Sequence, residues 1–90
     1  MPIAKDYEEA VLNYLKRFQH EKYYEIRNGR IPYELSTLAI IENTKMPASA
    51  IYRVLRNLTE NNAIEKLHGN VINVRVQVNA YRLNRANLHK

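Results

Sequence analysis

The sequence predicts an α+β domain in which helices come first and a β-hairpin follows. Apolar residues recur with a helical period in three segments between residues 4 and 61, whereas residues 71–80 alternate apolar and polar side chains like a half-buried strand. Charge also separates along the chain. Residues 1–44 hold six Lys or Arg and seven Asp or Glu, a balance of −1, while residues 45–90 hold eight and two, a balance of +6. The second half therefore suits an anionic partner, although a basic surface kept for solubility is the alternative.

Length and composition limit the classes of protein to consider. Ninety residues predict one domain with a modest core, so we expect further burial at a dimer interface. The absence of cysteine excludes disulfides, thiolate chemistry and zinc fingers. No apolar run reaches the ~20 residues of a membrane span, and the N-terminus lacks the apolar region of a signal peptide. We therefore expect a cytoplasmic protein without a membrane partner.

The first helix is predicted over residues 4–22, longer than a small domain requires. Its acidic cluster at 6–9 suits a helix start, where the helix dipole favours negative charge. Its apolar stripe consists of Tyr7, Ala10, Val11, Tyr14, Leu15 and Phe18. This stripe is either a core face or, around Tyr7, Val11, Tyr14 and Phe18, partly a contact with a second subunit.

Residues 23–33 are predicted to break the helical pattern. Asn and Gly at 28–29 indicate a turn, and Pro32 restricts the residue before it to extended geometry. Tyr23 and Tyr24 have two interpretations: they form a stacking platform for bases, or they pack over the end of the first helix.

A second helix is predicted over residues 34–43, and it serves to brace the third. Its inward residues are expected to be Leu35, Leu38, Ala39 and either Ile40 or Ile41. The link at 43–47 is a turn, with Pro47 suited to the first position of the next helix, where its missing N–H costs nothing. Lys45 lies in this turn and is expected to point at a phosphate.

The third helix, residues 47–61, has two different faces. Its core stripe is predicted to contain Ile51, Val54, Leu55 and Leu58. The opposite face carries Ser49, Tyr52, Arg53, Arg56 and Asn57, and its one acidic residue, Glu60, lies in the last turn. Two guanidinium groups, a phenol, an amide and a hydroxyl suit phosphates and base edges.

A hairpin is predicted over residues 63–84. Residues 64–67 form one strand, and the alternating segment that follows exposes Asn73, Arg75, Gln77 and Asn79. A turn at 69–70 would pair Ile64 near Arg75, whereas a tip near Asn73 would let Ile64 meet Leu83. The alternation changes phase between Ala80 and Leu83, which indicates a bulge or the point where the hairpin rejoins the core.

Several short motifs resemble one family. Leu55, Leu58 and the run from Asn62 to Lys66 resemble the signature that closes the recognition helix of winged helix-turn-helix DNA-binding domains. These motifs are most similar to small MarR-like and PadR-like regulators of archaeal or plasmid and viral type. Asn62 stands where those proteins usually carry glycine, which fits because asparagine also tolerates the left-handed position after a helix.

Flanking segments extend the resemblance over residues 33–84. Leu38, Ala39, Thr44 and Met46 are similar to the helix and turn before the recognition helix, and Ala80–Asn84 to the strand that ends the wing. The family also has a short first strand, which residues 30–31 would supply. The resemblance thus implies a three-helix core with a C-terminal β-hairpin wing and a long first helix.

The function that the resemblance implies is sequence-selective binding of double-stranded DNA by a small dimeric transcriptional regulator. Base edges in the major groove are then read by Ser49, Ala50, Tyr52 and Arg53, while Lys45, Arg56, Asn57 and again Ser49 contact phosphates. The wing contributes Asn73, Arg75, Gln77 and Asn79, with Arg75 favoured in the minor groove. A solvated outer face is the other interpretation of the wing. Arg82 and the basic tail at 85–90, with Arg85 and Lys90, are expected to be loose and to add non-specific affinity.

Other functions remain open. The same fold serves DNA-coating architectural or plasmid-partition proteins, and it serves adaptors that bind proteins without DNA. An enzyme is not expected, because His20, His68 and His89 lie on different elements and two glycines leave little room for a phosphate loop. No cofactor or metal is predicted. A DNA-binding protein of this kind would be cytoplasmic and associated with the nucleoid.

Overall fold

The computed structural model describes residues 4–69, 71 and 78–84. Within these residues lie four α-helices: α1 (Ala4–Glu21), α2 (Tyr23–Arg27), α3 (Thr37–Thr44) and α4 (Ala48–Glu60). A 3₁₀ turn at Tyr33–Leu35 precedes α3, and two antiparallel strands follow α4, β1 (Ile64–Leu67) and β2 (Ala80–Leu83). The predicted α+β class is thus confirmed. None of the helices in the described part of the chain is long and apolar enough to cross a membrane.

Helix α1 lies across the domain and packs against α3, α4 and β2. Val11 and Leu15 on its predicted stripe are fully buried, and Tyr7, Tyr14 and Phe18 of the stripe pack against the same core. Val11 and Leu15 are therefore core residues, as the first interpretation expected. Val11 has no surface left for the predicted contact with a second chain, because neighbouring elements of its own chain already cover it.

Tyr14 connects three elements through its hydroxyl group. This hydroxyl donates a hydrogen bond to the backbone carbonyl of Glu34 over 2.7 Å and accepts one from the Asn43 amide over 3.2 Å. Burial raises the pKa of the phenol above its usual value. Tyr14 therefore contributes to holding its own chain together, whether or not a second subunit also approaches it.

The segment after α1 differs from the prediction. Residues 23–27 form the short helix α2 instead of breaking the helical pattern, and only Lys22 separates α2 from α1. The turn at 28–29 is confirmed as the end of α2. Gly29 takes a φ of 79° and donates to the Ile26 carbonyl, while Arg30 donates to the Glu25 carbonyl, the two bonds of a Schellman cap.

The second predicted helix begins later than expected, at Thr37 instead of residue 34. Ser36 caps α3, because its hydroxyl accepts a hydrogen bond from the Ala39 N–H over 3.2 Å. Ala39 and Ile40 face the core, so Ile40 is the more buried of the two alternatives. The inward prediction for Leu38 is wrong, since its side chain is 40% exposed.

Helix α4 follows the prediction closely. Its apolar stripe of Ile51, Val54, Leu55 and Leu58 is buried. The helix begins at Ala48, one residue later than predicted, so Pro47 is its N-cap instead of its first residue. At the other end Asn62 has a φ of 60°, and Ala63 and Asn62 donate to the carbonyls of Leu58 and Thr59. This is a second Schellman cap, which confirms the left-handed conformation expected of Asn62.

The strands pair with Ile64 opposite Leu83 and Leu67 opposite Ala80. This is the register that the sequence associates with a tip near Asn73. The four pairs run without a bulge, and Ala80 also bridges to Ser36, so the change of phase marks the point where the strand meets the core. The expected strand at 30–31 is reduced to a single bridge between Ile31 and Val71.

Candidate nucleic-acid interface

The outer face of α4 is the basic surface that the sequence predicts to contact DNA. Arg53 and Arg56 are exposed, and Tyr52, the residue before Arg53, is 56% exposed. The buried stripe on the opposite side of α4 fixes which way these side chains project. No acidic residue occurs between Ala48 and Thr59, so this face carries only positive and neutral groups until the last residue of the helix.

The arginines of α4 differ from the cations that form ion pairs in the described part of the chain. Arg17 lies 3.3 Å from Glu21, Lys22 lies 3.8 Å from Glu34, and Arg82 lies 3.2 Å from Glu65. Neither Arg53 nor Arg56 has a carboxylate partner within the described residues. Their guanidinium groups can therefore donate hydrogen bonds to an external ligand without first breaking an ion pair.

The remaining predicted residues on α4 divide by exposure. Ser49 is exposed near the start of the helix, whereas Ala50 and Asn57 are half-buried along its edges. No side chain caps the N-terminus of α4, and Pro47 at the N-cap has no N–H of its own. The first amides of α4 therefore point outward at the positive end of the helix dipole, where a phosphate is favoured.

Lys45 occupies a strained position in the turn before α4. It is the C-cap of α3 with a φ of 58°, and its N–H donates to the Ile41 carbonyl over 3.0 Å. Its side chain is exposed. The neighbouring residues hold the turn in place, because Met46 packs against the core and the Thr44 hydroxyl donates to the Ile40 carbonyl over 2.6 Å. The predicted phosphate contact thus sits on a well-anchored turn two residues before the N-cap of α4.

A shallow cleft joins α4 to the start of α3 and to the base of the hairpin. It has a volume of about 170 Å³ and is lined by Thr37, Leu38, Tyr52, Val78 and Asn79. The Asn79 carbonyl accepts hydrogen bonds from both the N–H and the hydroxyl of Thr37, over 2.9 and 3.2 Å. Sequence reasoning missed this cleft, because it assigned Leu38 to the core.

Tyr81 brings the hairpin close to the outer face of α4. Burial raises the pKa of its phenol, an interaction with the Asn79 side chain opposes the rise, and nearby Tyr52 adds to it. Asn79, predicted as a wing contact, also joins the base of the hairpin to the start of α3 through its backbone carbonyl. The other predicted wing residues, Asn73, Arg75 and Gln77, lie outside the described residues, as does the tail at 85–90.

Arg82 corrects one expectation about the basic tail. Its side chain is only 14% exposed and pairs across the strands with Glu65, so it is part of the sheet instead of a loose cation. Its Nε lies within ion-pair distance of the carboxylate but without the alignment of a hydrogen bond. Arg82 is therefore a poor source of non-specific affinity.

Metal-binding side chains do not cluster in the part of the chain that the structure describes: no three His, Asp or Glu residues come together there. Comparison of the sequence and the structure with protein-family models, curated proteins and solved structures finds no match.

Proposed function

We propose that this protein binds double-stranded DNA sequence-selectively, as a small dimeric transcriptional regulator with a winged helix-turn-helix fold. In this proposal α3, the turn at Lys45 and α4 are the helix-turn-helix, and β1 and β2 are the base of the wing. The observation that carries the proposal is the outer face of α4, where Tyr52, Arg53 and Arg56 are exposed without a neighbouring acidic group. The excess of positive charge in residues 45–90 supports it.

The proposed mechanism follows from the width of the major groove, which admits one α-helix. The N-terminal half of α4 enters the groove, so Ser49, Tyr52 and Arg53 reach base edges, with Ala50 beside them. Arg53 addresses a guanine through two hydrogen bonds to its O6 and N7 atoms. Lys45, Arg56, Asn57 and the uncapped amides of α4 contact phosphates and fix the orientation of the helix.

The wing and the dimer complete the proposal. Arg75 contacts the minor groove or the backbone beside α4, where a narrow groove attracts arginine. Two chains related by a two-fold axis present their α4 helices about 34 Å apart, one turn of DNA, and so favour an inverted repeat. The partly buried Tyr7, Tyr14 and Phe18 of α1 are the proposed region of the dimer contact.

The test is a binding titration on a random-sequence duplex and on DNA from the protein's own gene region, at two salt concentrations. The test variant is Arg53→Ala, Arg56→Ala. Its matched control, Arg17→Ala, Arg30→Ala, removes the same charge from exposed positions away from α4. We expect binding that weakens steeply with salt, collapses in the test variant and survives in the control.

Each other outcome has a defined meaning. Equal losses in both double variants would show that net charge alone drives binding and would contradict the role of α4. Cooperative binding that grows with duplex length would favour a DNA-coating or partition protein over a regulator. Absence of binding at low salt would reject the DNA proposal and leave a protein adaptor as the function to test.

A further inference from the structure

A second cavity lies on α1, α2 and β2, lined by none of the α4 residues. Its volume is about 540 Å³, within the range typical of small-molecule sites. Its walls combine three cationic side chains and an imidazole with apolar groups and a phenol ring: Lys16, Arg27, Arg82, His20, Ile26, Leu83 and Tyr23. One wall is fixed to the fold, because the Gln19 side chain accepts a hydrogen bond from the Leu83 N–H over 2.9 Å.

The charge of this groove favours an anion. No carboxylate is among the described residues that line it. Glu65 partly neutralises Arg82 over 3.2 Å, but Lys16 and Arg27 have no acidic partner among the described residues and are exposed. Two unpaired cations at the mouth of one groove suit a phosphate group, which carries up to two negative charges.

The exposed ring of Tyr23, which lines the groove, favours a planar ligand. Tyr23 is 55% exposed and Tyr24 is 73% exposed, and α2 contains no buried residue. Tyr23 lines the groove together with Gln19 and His20 from the last turns of α1, and about half of its surface stays open to solvent. The rings of Tyr23 and Tyr24 meet edge to face with centroids 5.6 Å apart, a contact that steadies Tyr23. An exposed, steadied tyrosine ring beside cations is a typical platform for stacking a base.

We propose that this groove binds a nucleotide. The base stacks on Tyr23 and lies against Ile26 and Leu83, and the phosphate is held by Lys16 and Arg27. The nucleotide is either free or part of a single strand, because both present the same base and phosphate. The site goes beyond the proposed duplex binding, since none of its residues lies on α4.

The experiment is isothermal titration calorimetry of the full chain with five probes. These are adenosine monophosphate, adenosine, inorganic phosphate, benzoate and a single-stranded DNA of six adenosines. The test variants are Tyr23→Ala and Arg27→Gln. Their matched controls are Tyr23→Phe, which keeps the stacking ring, and Arg30→Gln, because Arg30 is exposed like Arg27 but does not line the groove.

We expect adenosine monophosphate or the single strand to bind, with adenosine and inorganic phosphate each at least about tenfold weaker. Tyr23→Ala should weaken binding by about tenfold, as loss of one stacked base does, while Tyr23→Phe keeps the ring and leaves binding unchanged. Binding of the strand alone would identify a single strand as the source of the nucleotide. Arg53→Ala, Arg56→Ala should keep this binding even if it loses duplex DNA, which separates the two proposals.

Three results would overturn the nucleotide site. Benzoate that binds as tightly as adenosine monophosphate would indicate a site for aromatic acids. Inorganic phosphate that binds equally well would indicate simple anion attraction. No binding by either nucleotide probe, or equal losses in the test and control variants, would show that the groove does not recognise a nucleotide.

Discussion

Tyr14 is the residue that contributes most clearly to joining separate elements. Tyr14→Phe removes its hydrogen bonds with the Glu34 carbonyl and the Asn43 amide. We expect a loss of about 1 to 2 kcal/mol in the free energy of unfolding, because the Glu34 carbonyl loses its partner in a partly buried place. Urea denaturation of the variant measures this loss. Tyr24→Phe is the control, since Tyr24 is highly exposed and has no hydrogen bond from its hydroxyl among the described residues. Equal stability of wild type and Tyr14→Phe would contradict the role of the hydroxyl.

The same phenol predicts a dependence on alkaline pH. Its pKa is raised in the folded protein, mainly by burial, so the folded state holds this proton more tightly than the unfolded state does. Its contribution is complete below the unfolded pKa of about 10 and is lost as the pH rises through the folded pKa. The difference in unfolding free energy between wild type and Tyr14→Phe should therefore shrink above that pH. A difference that stays constant would contradict the assignment.

Arg53 and Arg56 are predicted to have separable effects on DNA binding. Arg53→Ala should reduce the difference in binding free energy between a site selected from random duplexes and an unselected duplex by about 1 to 3 kcal/mol, because a guanine contact is removed. Arg56→Ala should weaken all duplexes by a similar factor, because a phosphate carries no sequence information. Competition titrations with selected and random duplexes measure both effects. Uniform weakening by Arg53→Ala would show that Arg53 does not read a base.

At the scale of the elements, the turn at Lys45 combines a structural cost with a proposed contact. Its φ of 58° is left-handed, which costs a residue with a Cβ about 1 to 2 kcal/mol of folding free energy. Glycine avoids this strain but loses more chain entropy on folding, so it recovers only part of that cost. Lys45→Gly should therefore be as stable as wild type or slightly more so. It should also reduce the slope of log binding constant against log salt concentration by about one, because one phosphate contact is lost. Lys45→Gln is the matched control, because it removes the charge and keeps the strain. Strong destabilisation by Lys45→Gly in urea would contradict the conformational part.

The helices show what periodicity can and cannot predict. The stripe on α4 was predictable because its apolar residues are separated by polar ones, so only one phase of the helix buries them all. In α3 the apolar residues 38–41 are consecutive, and several phases satisfy the same pattern. The Ser36 cap and the bond from Thr37 to the Asn79 carbonyl select the phase that leaves Leu38 exposed. Contacts 42 residues apart in sequence cannot be read from local spacing.

The candidate site divides in the same way. The exposed face of α4 followed from residue types and spacing, and the left-handed Asn62 followed from the resemblance to a family with glycine at that position. The cleft beside Tyr52 and the groove beside Tyr23 did not, because each is formed by elements distant in sequence. Arg82 likewise looked like part of a basic tail until the strand register placed it opposite Glu65.

At the scale of the whole molecule, the proposed dimer makes a prediction about stoichiometry. Sedimentation of the protein with a duplex that holds an inverted repeat should show two chains per duplex when the half-site centres lie about 10 base pairs apart. Inserting about 5 base pairs places the half-sites on opposite sides of the duplex and should reduce the affinity for the second chain. Two chains that bind the half-sites independently, with an affinity for the second chain that does not change with the spacing, would contradict the dimer.

The central claim is that α4 and the turn before it form the DNA-contacting surface. The most direct measurement is titration of the ¹⁵N-labelled protein with a duplex, followed by the amide resonances of each residue. We expect the largest shifts from Lys45 to Asn57 and at the base of the hairpin around Asn79, with small shifts along α1 and α2. Shifts confined to α1 and α2, or no shifts at low salt, would contradict the claim.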